Sequence, residues 1–143
     1  MVYQMAYVSV TDTQLGDDDL SDILSVSAHN NERDGITGLL MYHDQLFFQV
    51  LEGPEDLVKD SYKRIAYDQR HHGLSNVWEG ETEARAFPSW AMGYAKPDEL
   101  AKESRESLIS LADLKKADSS ILAGQSLAEA LARSVLSEFR GLR

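Results

Sequence analysis

Apolar positions along this chain follow two periods. Between residues 2 and 10 they alternate, with Tyr3, Met5, Tyr7 and Ser9 on one side and Gln4, Ala6 and Val8 on the other, as in a strand. A polar stretch, Thr11 to Leu15, leads to Asp17, Asp18 and Asp19, whose charge suits a helix start. From about residue 18 to 33 the period lengthens to three or four. Leu20, Ile23, Leu24, Ser27 and Asn31 form the stripe, its last members polar, with Asn30 beside it. Gly35 is placed to end that helix in a left-handed conformation.

Residues 36–42 and 46–52 read as two strands joined through His43, Asp44 and Gln45, a turn without the favoured Asn-Gly or Asp-Gly pair. Pro54 suits the first turn of a second helix, whose inner stripe is Leu57, Val58, Ser61, Tyr62 and Ile65. Arg64 and Asp68 on that helix are spaced to pair. Strands are expected at 74–81 and, after the Phe87-Pro88-Ser89-Trp90 corner, at 91–95. Composition then shifts to Ala, Leu, Ser, Glu and Lys, with helices at 101–114 and 126–139. The latter carries Leu127, Leu131, Val135 and Phe139 every four residues.

The order strand, helix, strand, strand, helix, strand, strand implies a ferredoxin-like α+β sheet, βαββαββ. Right-handed crossovers put the first and third strands side by side, with two helices on one face. The C-terminal helices are expected to cover the other face, where Ala6, Val8, Phe48 and Val50 point. The division expected is a domain over residues 1–96 and a helical extension over 97–143.

Composition narrows the function. A length of 143 residues supports a single core without staples, and a net charge of −10 argues against nonspecific nucleic-acid binding. With no cysteine, thiol catalysis, disulfides and thiolate metal sites are excluded. No apolar run approaches a membrane span, and Met1-Val2-Tyr3-Gln4-Met5 lacks the form of a signal peptide, so a cytoplasmic protein is expected.

One polar residue stands out. Gln49 interrupts the apolar strand Leu46-Phe47-Phe48-Gln49-Val50-Leu51, and a buried amide without partners costs about 1–3 kcal/mol. In the expected fold Tyr7 is its neighbour, Ser27, Asn30 and Asn31 approach from the first helix, and Arg64 and Asp68 from the second. Polar groups converging on an apolar wall make a small-molecule pocket. Asn and Gln suit a neutral planar ligand edge with carbonyls and ring nitrogens. An isoalloxazine fits, as do other heterocycles, and each residue taken alone could be a helix cap or a satisfied core amide. The adjacent His71 and His72 read as a solvated corner rather than a metal site. Glu79, Glu81 and Glu83 read as an exposed strand face rather than an acid–base pair.

At these residues the chain resembles the BLUF family of flavin-binding blue-light sensors. The resemblance lies in Met5-Ala6-Tyr7-Val8-Ser9, Asn30-Asn31, Gly35-Ile36-Thr37-Gly38-Leu39-Leu40 and Phe47-Phe48-Gln49-Val50-Leu51-Glu52-Gly53-Pro54. It continues through Asp68-Gln69-Arg70-His71-His72 and Arg85-Ala86-Phe87-Pro88-Ser89-Trp90-Ala91-Met92-Gly93. It runs from about Val2 to Tyr94; the hairpin turn departs from the pattern in lacking glycine.

The resemblance implies FAD held non-covalently between the two helices, with FMN or riboflavin as possible substitutes. It implies Asn31, with Asn30 beside it, on the ring carbonyl and imide, and Arg64 on the pyrimidine side, steadied by Asp68. Ile23 and Ile65 would flank the ring, with Ser27 a minor contact. Tyr7 and Gln49 would be the photochemical pair, and Trp90 and Met92 would relay the state of Gln49 to the last strand. No catalytic residue and no metal ligand is implied. Output would pass to a separate effector protein or through a homo-oligomer, with no nucleic acid or membrane involved. A small hydrolase using Arg64 and Asn31, or a light-independent interaction module, is the alternative; both imply a colourless protein.

Overall fold

The first strand is buried on both faces, as a strand at the centre of a sheet is. In the computed structural model β1 (Val2–Val10) is buried along all but its ends, between β3 (Leu46–Gly53) and β4 (His72–Thr82). The structure describes residues 1–11, 13–67, 72–116 and 121–140, apart from the side chains at 72–73, 114–116, 121–126 and 139–140. With β2 (Thr37–His43) and β5 (Gly93–Ala95) the sheet runs β4-β1-β3-β2-β5. Its pairs are antiparallel except β2–β5. The expected ferredoxin-like α+β order and the adjacency of first and third strands are both present.

The period of two along each strand divides the core into two layers. On the front face, α1 (Asp17–Asp34) sets Leu20 among Leu40, Tyr42 and Phe47. Beside it α2 (Glu55–Ala66) sets Val58 against Met5, Tyr7 and Leu51. On the far face Ala6, Val8, Leu39, Met41, Phe48 and Val50 meet α3 (Lys102–Lys116) and α4 (Ile121–Arg140). Leu108, Leu111, Leu131 and Val135 are fully buried there, each stabilising the fold by roughly 1.5–3 kcal/mol. The C-terminal stripe therefore covers the far face through Leu131 and Val135, while the Phe139 side chain lies outside the described residues. Between α3 and α4 the Ser104 and Ser134 hydroxyls bond at 2.7 Å.

Gly38 lets β2 approach β3: a Cβ there would lie 2.0 Å from the Val50 carbonyl oxygen. The hairpin closes through Asp44 and Gln45, both left-handed at φ 47° and 71°, with the Gln45 carbonyl accepting the Thr11 amide at 2.9 Å. Some boundaries differ from expectation. Pro54 is the extended N-cap of α2 instead of lying in its first turn, and α4 begins earlier, at Ile121. The last strand begins only at Gly93, because Trp90 and Ala91 turn their carbonyls to Gly38 and Asn31 instead of continuing a ladder. No helix among the described residues is long and apolar enough to cross a membrane.

Candidate functional site

The two front helices do not meet over the sheet, and a cleft of about 170 Å³ opens between them. Its floor is Tyr7 and Ser9 from β1, Leu40 from β2, and Phe47 and Gln49 from β3. Ile23, Val26, Ser27, Asn30 and Asn31 form the α1 wall, and Ser61, Arg64 and Ile65 the α2 wall.

Tyr7 and Gln49 sit opposite one another in the β1–β3 register. The Tyr7 hydroxyl donates to Gln49 Oε1. The other end of the amide, Nε2, donates to Met92 Sδ at 3.6 Å. Tyr7 is 1% exposed, and its ring meets Tyr62 edge-on with centroids 5.2 Å apart. Burial, and secondarily the nearby Tyr62, holds the Tyr7 phenol well above the ordinary tyrosine pKa, so it is a neutral donor. Thus the amide that the sequence left without partners is bonded at both ends.

Asn31 is 3% exposed, and its Nδ2 donates to the Ala91 carbonyl at 2.6 Å, which leaves Oδ1 for the cleft. Asn30 and Ser27 line the cleft with no side-chain partner among the described residues. The Arg64 guanidinium donates to Ser61 Oγ at 2.8 Å and to the Asp34 carboxylate at 3.1 Å. Bonds from Arg33 first and Arg64 second lower the Asp34 carboxyl to about 2. The expected steadying partner, Asp68, lies outside the described residues; in the structure Asp34 and Ser61 hold Arg64.

The structure brings nine of the expected site residues together: Ile23, Ser27, Asn30, Asn31, Arg64 and Ile65 around the opening, Tyr7 and Gln49 at the floor, and Met92 bonded to Gln49. Trp90 lies apart from the cleft. Its ring stacks on Phe87 at 5.9 Å, is 42% exposed, and does not line the cleft. It lies over Gly93, where a Cβ would come within 2.4 Å of it, and the shorter Met92 faces Gln49 instead. Leu40, Phe47, Ser9 and Val26 line the cleft without having been picked out by pattern, since apolar wall residues look like any core. Asp34 was also missed; an acid in the last turn of a helix carries no signal of its distant arginine.

Among the described residues no cluster of His, Asp and Glu could hold a metal. The side chains of His71 and His72 lie outside the described residues. Glu79, Glu81 and Glu83 are exposed, but Glu79 accepts a bond from the Tyr3 hydroxyl.

Known proteins bear on this arrangement. A family profile described as sensors of blue-light using FAD matches residues 2–93. Photoactivated adenylate cyclase subunit beta of Euglena gracilis is 35% identical over 98 residues, which is 68% of this chain and 11% of the relative. The blue light- and temperature-regulated antirepressor of Escherichia coli (strain K12) is 34% identical over 68 residues, 48% of this chain and 17% of the relative. The chain therefore spans only a small part of these curated relatives. Among solved structures, the dark state of BlrB, a BLUF protein, superposes with a TM-score of 0.70 at 28% identity, covering 95% of this chain and 96% of that one. The front cleft, with its tyrosine–glutamine floor, lies within the matched residues, and this chain belongs to the BLUF family of blue-light sensors using FAD.

Proposed function

We propose that the chain is a blue-light photoreceptor in which Tyr7 and Gln49 convert light absorption by a bound flavin into a changed hydrogen-bond pattern. The observation that carries this reading is the bonded row Tyr7–Gln49–Met92 across the cleft floor. The donor set fits a flavin. Asn31 Oδ1, Asn30 and Ser27 leave polar capacity facing the cleft, Arg64 adds a cation, and Ile23 and Ile65 give apolar walls. Asn30, Asn31 and Arg64 would hold the polar ring edge, and Ile23 and Ile65 would pack on the ring faces. Bound there, FAD, or FMN or riboflavin in its place, supplies visible absorption and one-electron oxidising power.

The protein's own part is a switchable amide. Among the described residues Tyr7 is the only phenol bonded to Gln49, so loss of an electron and its proton from Tyr7 removes the donor that fixes Gln49 Oε1. An amide has a donor end and an acceptor end of nearly equal size, so it can turn end for end within the same space. Nε2 would then face Tyr7, and Oε1 would face Met92 and the cleft. The Asn31 bond to Ala91 and the Gln49 bond to Met92 both end on the segment leading to β5, which gives the change an exit.

The chemistry is signalling rather than turnover, and the signal passes to a separate effector protein or through a homo-oligomer of this chain. Relatives named for adenylate cyclase and antirepressor activity support an effector-linked role. The test is a spectrum. Purified protein should be yellow, and blue light should shift the flavin band to the red reversibly. A colourless protein that takes up no added flavin would overturn the reading.

A further inference from the structure

The loop that places Met92 against Gln49 is held from the opposite face of the sheet. Because side chains alternate along β3, Gln49 faces the cleft while Glu52 faces the far layer. Glu52 is completely buried, at 0% exposure. Its Oε2 accepts the Gln4 amide at 2.8 Å and the Ala86 N–H at 2.7 Å. Its Oε1 accepts the Phe87 N–H at 2.8 Å and lies 3.5 Å from the Thr37 hydroxyl. All four donors are neutral. The nearby Arg85 instead donates to the Thr37 hydroxyl at 2.9 Å and to the Glu52 and Gly35 backbone carbonyls at 3.3 and 2.8 Å. Burying a carboxylate without a cation is costly unless its oxygens are well bonded, and here they fix two consecutive loop amides.

From those amides the loop passes between the two layers of the core. Ala86 and Phe87 belong to the far layer with α3 and α4, whereas Met92 packs in the front layer. In between, the Trp90 carbonyl accepts the Gly38 N–H at 2.9 Å and the Ala91 carbonyl accepts Asn31. Along the far face the row continues outward. Gln4 Oε1 accepts the indole N–H of the part-exposed Trp78 at 3.3 Å.

We propose that Glu52 is a positioning residue for the light response: by clamping the Ala86 and Phe87 amides it sets Met92 against Gln49 and ties that contact to the far layer. The inference rests on the photoreceptor reading for its kinetic consequence, but not for the clamp itself. A carboxylate is required because donors converge on both oxygens; in Glu52→Gln one oxygen becomes an NH₂ group facing N–H donors.

Two measurements on the full chain separate the parts. In flavin-free protein kept dark, Glu52→Gln should raise hydrogen exchange at the Ala86 and Phe87 amides at least tenfold while leaving the central β1 amides protected. Unchanged exchange at those two amides overturns the clamp, whatever the light response. In flavin-loaded protein, Glu52→Gln should speed thermal recovery at least fivefold in the wild-type background and less than twofold in Met92→Ala. An equal acceleration in both backgrounds shows that Glu52 does not act through Met92 and overturns the proposal. If Glu52→Gln fails to fold, Gln4→Leu, which removes one donor and keeps the carboxylate, should speed recovery about twofold with Met92 and not without it. Unchanged recovery in Gln4→Leu would likewise refute the proposal. A wild-type chain that binds flavin but shows no red shift would sink the photoreceptor reading instead, leaving the exchange result to decide the clamp.

Discussion

Removing the Tyr7–Gln49 bond one partner at a time, and then entirely, gives the sharpest test of the cleft floor. Both groups are buried, at 1% and 7% exposure, so neither gains water in place of its lost partner. In Tyr7→Phe the Gln49 Oε1 loses its donor, and in Gln49→Leu the Tyr7 hydroxyl loses its acceptor. Each orphaned group costs about 1–3 kcal/mol. Replacing both partners leaves two apolar groups of similar shape, a change that can be nearly neutral. The double variant should therefore be more stable than the two single losses predict by about 2–6 kcal/mol, the sum of the two orphaning costs, a coupling energy that a double-mutant cycle reads directly. Urea unfolding of the flavin-free protein at fixed pH supplies the four stabilities. Light-minus-dark spectra of the flavin-loaded variants supply the second axis: all three should bind flavin and lack the red shift. Strict additivity of the single losses would show that the bond contributes nothing. A red shift retained in Gln49→Leu would remove Gln49 from the mechanism.

Other outcomes follow from the same geometry. A recovery time on the order of a second requires a barrier near 17 kcal/mol, while breaking two amide hydrogen bonds in a dry site accounts for only about 8–12. Packing around Gln49 is then part of the barrier, and Met92→Ala should speed dark recovery about tenfold or more; an unchanged recovery time rules this out. Gly38→Ala would put a methyl 2.0 Å from the Val50 carbonyl oxygen and should lose about 3 kcal/mol in urea melts, or fail to fold; wild-type stability would refute the register argument. Gln45→Gly relieves a left-handed residue in the hairpin and should add about 1 kcal/mol, seen as a melting temperature a few degrees higher. Because burial raises the Tyr7 pKa, its contribution to stability is complete below the unfolded value of 10.0 and is lost as pH rises above it. The fall in stability above pH 10 should be shallower in Tyr7→Phe by up to about 1.4 kcal/mol per pH unit, as urea melts across that range would show.

What the sequence by itself determined was the architecture and the location of the anomaly. Alternation in residues 2–10 and 46–52, helical stripes in α1 and α2, and the order of elements suffice for the sheet, because each rests on local periodicity. Gln49 was conspicuous for the same reason: a polar residue in an apolar strand breaks a pattern that one strand alone displays. The C-terminal stripe pointed to its own burial through Leu131 and Val135, again by period. Only the tertiary structure decided what met what. Asp34, which binds Arg64, lies on the other helix, where spacing gives no hint. Met92 faces Gln49 and Trp90 does not, because Gly93 leaves room for the Trp90 ring against Phe87. By pattern Glu52 is only the last residue of the strand expected at 46–52. It is instead a buried acceptor for the loop that delivers Met92, since its donors come from Gln4, Ala86 and Phe87, brought together only by the register of β1 on β3 and the return of the loop. Periodicity is a property of neighbours along the chain. Hydrogen-bond partners in this site are neighbours across it, and only the closed sheet brings them within reach.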